Sequence, residues 1–405
     1  MTDTSLPLSG FKVLELGNYI AAPTTGKILA DFGADVVKVE RPRTGDELRR
    51  WRLGAGDTSM LYRTINRGKR SIELDLRSPH GRDAVLGLAR EADVLVENFR
   101  PGTLEKWGMS PTVLAEANPG LVIVRISAFG QTGPMSPQPG FAAVAEAYGG
   151  MREMIGDPDR PPARTGFSIG DTVAGIYAAF GAVMRLLERE RGRPASTGRL
   201  VDVGLNEAVL SLTESLVADW SAYGTRRQRT GGRMEGIAPS NAYLCRDGKS
   251  IVIAGNGDGI FKRYMQIIER PDLGDDPTLA SNEGRWARRD ELDAAIGVWT
   301  GQRTAAEALR ILDEVGVPAG PISTAEDVAV DPQFAARDMI QRFDIHDGAG
   351  LREGVAMPGI VPVLGERSLP VSHPGPDLGA HTSEVLEEWL GWDAARRAAL
   401  EEEIR

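Results

Sequence analysis

Short β-type runs alternate with helical patterns through the first 130 residues, and that alternation narrows the possible folds more than any other feature. Val13–Leu16, Val36–Glu40, Ser71–Leu76, Val94–Glu97 and Leu121–Ile126 read as strands. Between them, Thr24–Phe32, Gly81–Glu91 and Pro111–Ala117 read as helices. Strands joined through helices pair parallel, and a parallel sheet needs cover on both faces. The expected class is α/β, with a Rossmann-like parallel sheet. Longer helices are expected at Asp171–Arg189 and Val203–Tyr223.

The pattern changes after residue 224. Gly224–Gly236 carries Arg226, Arg227, Arg229 and Arg233 among its glycines and reads as an exposed connector. Tyr243–Cys245 and Ser250–Ala254, joined at Asp247-Gly248, read as a hairpin. Helical patterns follow at Phe261–Glu269, Arg289–Trp299 and Thr304–Val315. We expect a smaller inserted α+β domain over 225–325. Residues 1–224 and 326–405, the latter with mixed strands and a helix at Ser383–Leu390, form the large domain from both chain ends.

A net charge of −10 and a pI near 5.2 argue against a nucleic-acid partner, which would favour a basic face. The single cysteine, Cys245, allows neither an intrachain disulfide nor a cysteine-rich metal site. His80, His346, His373 and His381 share no metal-ligand spacing, and no nucleophile-elbow motif is present. No metal site is expected, and serine-type catalysis is disfavoured. Met1–Ser9 is short and polar without a secretion-signal pattern, so a cytoplasmic location is expected.

Three segments carry candidate chemistry. In Thr165–Gly175 a single carboxylate, Asp171, precedes the uncharged run Val173–Met184, which is too short to span a bilayer and suits a core helix. At a helix start, unpaired N–H groups and the macrodipole keep a carboxylate ionised. Asp171 is therefore either an N-cap or a carboxylate nucleophile. Glu40 ends a strand as in dinucleotide folds, but Gly17–Pro23 lacks the G-x-G-x-x-G loop, which disfavours NAD. Arg41 and Arg43, at the carboxyl end of that strand, are either phosphate ligands or a solvated turn. Gly255-Asn256-Gly257-Asp258-Gly259 is either a flexible loop or a lid over a reactive intermediate. The tryptophans, Trp107 among them, read as packing residues.

Six ordered segments together resemble the class III CoA-transferases, the CaiB/BaiF group of formyl-CoA and carnitine CoA-transferases, which also contains α-methylacyl-CoA racemase. They are Leu8–Glu15, Gly33–Glu40, Asn66–Asp75, Ala92–Gly102, Gly170-Asp171 and Leu378–Thr382. The resemblance covers about 7–392. It implies that Asp171 attacks an acyl-CoA thioester, giving an aspartyl anhydride and then an aspartyl-CoA thioester. It further implies CoA contacts at Ile20, Ala21, Arg41, Leu74, Arg77, Asn98, Phe99, Arg100 and Lys106, and a mobile loop at 255–259. It implies an interlocked homodimer, no permanently bound cofactor, and acyl-CoA with a small carboxylic acid as substrates.

Departures from the family pattern refine this reading. Lys106 replaces an arginine and loses bidentate phosphate geometry. Ile20 and Ala142 replace a glutamine and a glutamate of the formyl-CoA enzyme, which argues against formyl-CoA or oxalate. Phe141 stands where the racemase branch has its proton-carrying histidine, which disfavours racemisation. A non-catalytic acyl-CoA binder would have no need of Asp171. Arg164 and the 226–233 arginines would suit a dicarboxylate acceptor, such as a succinate- or mesaconate-like acid.

Overall fold

The computed structural model describes residues 6–55, 58–193, 199–348 and 350–404. The first five residues, on which the reading of an absent secretion signal partly rests, lie outside that set. The chain divides into two compact units. One comprises Met1–Met151, Thr165–Thr213 and Pro332–Arg405, and the other Arg152–Arg164 and Glu214–Asp331.

Six strands build the sheet of the larger unit. Their spatial order is Lys69–Glu73, Asp35–Glu40, Lys12–Glu15, Val94–Glu97, Val122–Ser127, Leu200–Gly204. Every neighbouring pair is parallel. From the first strand the chain steps outward twice, then returns to the other side of that strand at Val94–Glu97. Open α/β sheets bind ligands at such a reversal, outside the carboxyl ends of the strands.

Side chains alternate across the sheet, and both faces are covered. Val13, Val36, Val94, Val122 and Val124 pack with Ala21, Leu29, Ala174, Ala178 and Leu186 on one side. Leu14, Val37, Val39, Ile72 and Leu95 pack on the other with Val85, Leu88, Val385, Leu386 and Trp389. The late helix Thr382–Leu390 therefore completes a core begun by the first strands.

The sixth strand corrects the helix expected over Val203–Tyr223. Val201 and Val203, β-branched and two apart, pair with Val124 and Ile126. Helix begins only at Leu205–Leu210, and a second, separate helix follows at Leu216–Tyr223. Between them Glu214 has φ 50°, which no continuous helix tolerates.

The Asp171 helix runs over Ile169–Glu190. By length and composition it could cross a bilayer, which the shorter run Val173–Met184 did not indicate. Gly170, Ala174, Gly175, Ala178, Ala182 and Leu186 bury one face of it, while Ile176, Phe180, Val183, Met184 and Leu187 stay exposed on the other.

In the smaller unit, Ser240–Leu244, Ser250–Ala254 and Ala319–Pro321 form an antiparallel sheet. Gly248 supplies the positive φ that the Asp247-Gly248 turn requires. Tyr243, Ile251 and Ile253 share a core with Phe261, Tyr264, Leu292, Ile296 and Trp299 from the helices Asp258–Ile267 and Arg289–Gly301.

Candidate active site

A cavity of ≈ 250 Å³ opens at the carboxyl ends of the first three strands. Leu16, Val39, Leu74 and the rings of Tyr19, Phe99 and Trp107 give it apolar walls, and Arg41, Glu47, Asp75 and Arg77 charge its rim. Four residues expected to contact CoA thus meet in one place: Arg41, Leu74, Arg77 and Phe99. Trp107, expected only to pack, lies in the same wall, edge-on to Phe99 with ring centroids 5.1 Å apart.

The loop after the first strand, Gly17–Ile20, borders this cavity and is fixed from beneath. Lys38 Nζ donates to the Gly17 carbonyl at 2.7 Å. The Asn98 amide accepts from Asn18 N and donates to Asn18 O, at 2.9 and 2.7 Å. Asp46 accepts from Tyr19 N at 3.0 Å and holds that residue at φ 64°. Lys38 also pairs with Glu15 and Asp46, and Lys69 with Glu15, all of them fully buried. Burial pushes the Lys69 ammonium down to about 8, against the pull of Glu15. Sequence reasoning missed these four residues. The signal was there: Glu15 and Lys38 interrupt strands of a two-faced sheet, where a charge is tolerated only when paired.

Glu40 is occupied in another way. Its carboxylate takes a bidentate pair from Arg49 at 2.7 and 2.8 Å, and hydrogen bonds from the Tyr62 and Ser71 hydroxyls, both at 2.6 Å. No acceptor is left for a ribose, which closes the dinucleotide reading by geometry.

The remaining expected contacts are spread more widely. Asn98 serves the loop described above. Ile20 is buried beside Leu48 and Tyr62, and Ala21 opens the helix Ala21–Asp31. Arg100 donates to the Pro137 carbonyl at 2.9 Å. Lys106 is exposed and forms no ion pair among the described residues. Arg43 accepts its place from Glu73, which takes its backbone N–H at 2.6 Å.

Asp171 is half-buried in the first turn of its helix. Ser168, not Asp171, holds the N-cap position, so the capping alternative places the wrong residue at the helix start. Gly170 faces Val209, Glu146 and Ala142, and a Cβ there would meet the nearest of them at 3.3 Å. Gly175 allows the Ala21–Asp31 helix to approach, and Thr25 Oγ1 donates to the Gly175 carbonyl at 3.2 Å. The loop Gly17–Ile20 therefore leads directly into the helix that packs against the Asp171 helix at Gly175. Phe141 caps the neighbouring helix Ala142–Tyr148 and meets the Tyr19 ring edge-on at 5.6 Å.

The glycine loop belongs to the smaller unit. Gly255 is filled by the Tyr264 ring, where any Cβ would collide at 2.4 Å. Buried Arg285 holds Asn256 O at 2.8 Å and the Asp258 carboxylate at 2.6 Å. Gly257 precedes the helix Asp258–Ile267, and Gly259 faces open space. Three arginines of the connector are engaged within the same unit, contrary to a free anion-gripping cluster. Arg227 pairs with Glu214 and Glu235, Arg229 with Glu153, and Arg233 with Asp290 and Asp293.

Comparison with known proteins identifies the family. Residues 8–382 match CoA-transferase family III. The chain is 43% identical over 386 residues to a succinyl-CoA–D-citramalate CoA-transferase of Chloroflexus aurantiacus, covering 95% of this chain and 94% of that one. It is 35% identical to a succinyl-CoA:mesaconate CoA-transferase of Haloarcula hispanica, covering 94% and 96%. Among solved structures, a CaiB/BaiF family protein from Brucella suis matches with a TM-score of 0.82 at 33% identity, over 95% of this chain and 99% of that one. The chain belongs to CoA-transferase family III and is an enzyme of the CoA-transferase type.

Proposed function

We propose that this enzyme moves CoA from succinyl-CoA, or a similar dicarboxylyl-CoA, to a second short dicarboxylic acid, with Asp171 as covalent carrier. The observation that carries the reading is the half-buried Asp171 carboxylate in the first turn of a helix that packs against the one leaving the CoA-side loop. The relatives' substrates, succinyl-CoA with D-citramalate or mesaconate, support the acid class.

The chemistry balances without a proton carrier. An Asp171 oxygen attacks the thioester carbonyl, the C–S bond breaks, and CoA leaves as thiolate from a mixed anhydride. The thiolate attacks the Asp171 carbonyl and expels the donor acid as carboxylate. The acceptor carboxylate attacks the resulting aspartyl thioester, forms a second anhydride and releases thiolate again. Attack of that thiolate on the acceptor's acyl carbon yields the new thioester and restores Asp171. Water must be kept out while the anhydride exists, and loop 255–259 is our candidate lid for that step. Arg41, Leu74, Arg77, Phe99 and Trp107 would hold the CoA body.

The test is mass spectrometry after mixing with succinyl-CoA, together with exchange into a panel of dicarboxylic and monocarboxylic acids. Asp171→Ala should lose the adduct and reduce exchange on the order of 10³-fold or more. Normal exchange in that variant sinks the mechanism, and exchange confined to monocarboxylic acids sinks the substrate class. Racemisation is disfavoured because Phe141 carries no proton.

We further propose a cytoplasmic, interlocked homodimer. The exposed apolar face of the Ile169–Glu190 helix supports it, and a monomer by light scattering at micromolar concentration would overturn it.

A further inference from the structure

The rim of the cavity sets each cation against a carboxylate of its own. Arg41 pairs with Glu47 and also donates to the Gly45 carbonyl at 3.4 Å. Arg77 is held by Asp75 through its Nε at 3.1 Å and its backbone N–H at 3.0 Å. All four residues line the same cavity. Glu47 is a fixed partner, because the preceding Asp46 is buried and caps the short helical turn Glu47–Arg50. Its second oxygen, Oε2, is buried without a hydrogen-bond partner, so the carboxylate is committed to Arg41 on one side only. The two cations at this mouth are thus neutralised by two anions.

A CoA thioester brings several phosphate charges to that mouth. Phosphates prefer guanidinium partners, yet here each guanidinium is already taken. A phosphate must displace the carboxylate or sit beside it, where like charges repel.

We propose that Glu47 and Asp75 are built-in stand-ins for the CoA phosphates, which hold Arg41 and Arg77 in place while the groove is empty and reclaim them when the product leaves. The proposal rests on the CoA-groove reading given above. Their function is to weaken CoA binding, and so to speed release of the exchanged thioester; where release limits turnover, this sets kcat. Both therefore tune CoA affinity and never touch the reacting atoms.

Calorimetric titration of the full-length enzyme with CoA, paired with steady-state exchange kinetics, provides the test. Glu47→Gln keeps the shape but removes the charge, and Asp75→Asn does the same for Arg77. Each should tighten CoA binding several-fold and lower KM for acyl-CoA, leaving KM for the acceptor acid unchanged. A merely structural role would not give that split. Unchanged or weaker CoA binding in both variants overturns the proposal. Arg41→Gln is the separate control. If it binds CoA as the parent does, the groove reading is at fault; if it binds weakly while Glu47→Gln gains nothing, the groove stands and the stand-in idea falls.

Discussion

Glu40 shows what a single buried carboxylate does for this fold. Burial alone would push its carboxyl up, but the Arg49 hydrogen bonds and charge, aided by Lys38 and Ser71, outweigh that and hold it at about 2, down from 4.5. Because the folded value lies below the unfolded one, the unfolded chain binds more protons between them. The stabilisation is therefore present above about pH 4.5 and disappears as the pH falls toward 2. A shift of this size corresponds to roughly 3 kcal/mol. Urea unfolding of the parent and Glu40→Gln across that window should show two stabilities that converge on acidification, since protonated Glu40 resembles Gln. A gap that stays constant down to pH 2.5 would show that the charge is not what Arg49 needs. Such residues were only half legible. The carboxylate at the strand end was visible and drew a ribose-binding reading. Its real partners, Arg49 and Tyr62, lie 9 and 22 positions away in sequence, and only the fold brings them together. Asp171 was easier to see because a lone charge ahead of a long apolar run is a local pattern.

Elements were legible wherever periodicity decided them. The five strands and the helices between them follow from runs of Val, Leu and Ile at the two spacings. Leu200–Gly204 escaped because only Gly204 separates Leu200-Val201-Asp202-Val203 from helix-forming residues, and its pairing with Val122–Ser127 spans a long stretch of chain. The motif Asn66–Ser71 was recognisable as a pattern but not as a function. In the fold its charges turn inward, Arg67 to Asp31, Lys69 to Glu15 and Arg70 to Asp35, riveting an edge strand to its neighbours. Helix crossing was equally invisible. Gly175 reads as a helix weakener, and its removal should help: Ala is favoured over Gly in a helix by about 1 kcal/mol. The contact says otherwise. A Cβ there would lie 2.7 Å from the Ala21 carbonyl and 2.7 Å from Thr24 Cβ, and the first of these is backbone. Overpacking of that kind costs about 1–3 kcal/mol. Gly175→Ala should thus be destabilising in thermal unfolding, and should reduce exchange activity by shifting the Asp171 helix. A variant more stable than the parent would mean that the two helices separate freely.

At the scale of the molecule, the two units carry separate cores, and each has its own organising charge. In the larger unit the chain end returns to finish the core of the first sheet strands, which no local pattern announces. Trp389 donates to Asp35, 354 positions away, at 3.1 Å. In the smaller unit Arg285, only 1% exposed, takes that role. Its guanidinium donates to Ala238 O at 3.0 Å, Leu279 O at 3.1 Å and Asn256 O at 2.8 Å, and pairs with Asp258. It thereby ties the start of the sheet, the turn before Asn282–Ala287 and the glycine loop to one point. Arg285→Met would keep much of the volume while stripping several buried carbonyls of their donors, a loss of about 3 kcal/mol or more. Asp258, largely exposed, would simply be solvated, so the damage should fall on the backbone that Arg285 gathers. Hydrogen exchange should then show lost protection at Tyr243, Ile251, Ile253 and the Arg289–Gly301 helix. The strands Val94–Glu97 and Val122–Ser127, whose partners all lie in the larger unit, should exchange as slowly as in the parent. Equal loss in both sets would mean that the two cores unfold as one and that the division into units has no energetic meaning.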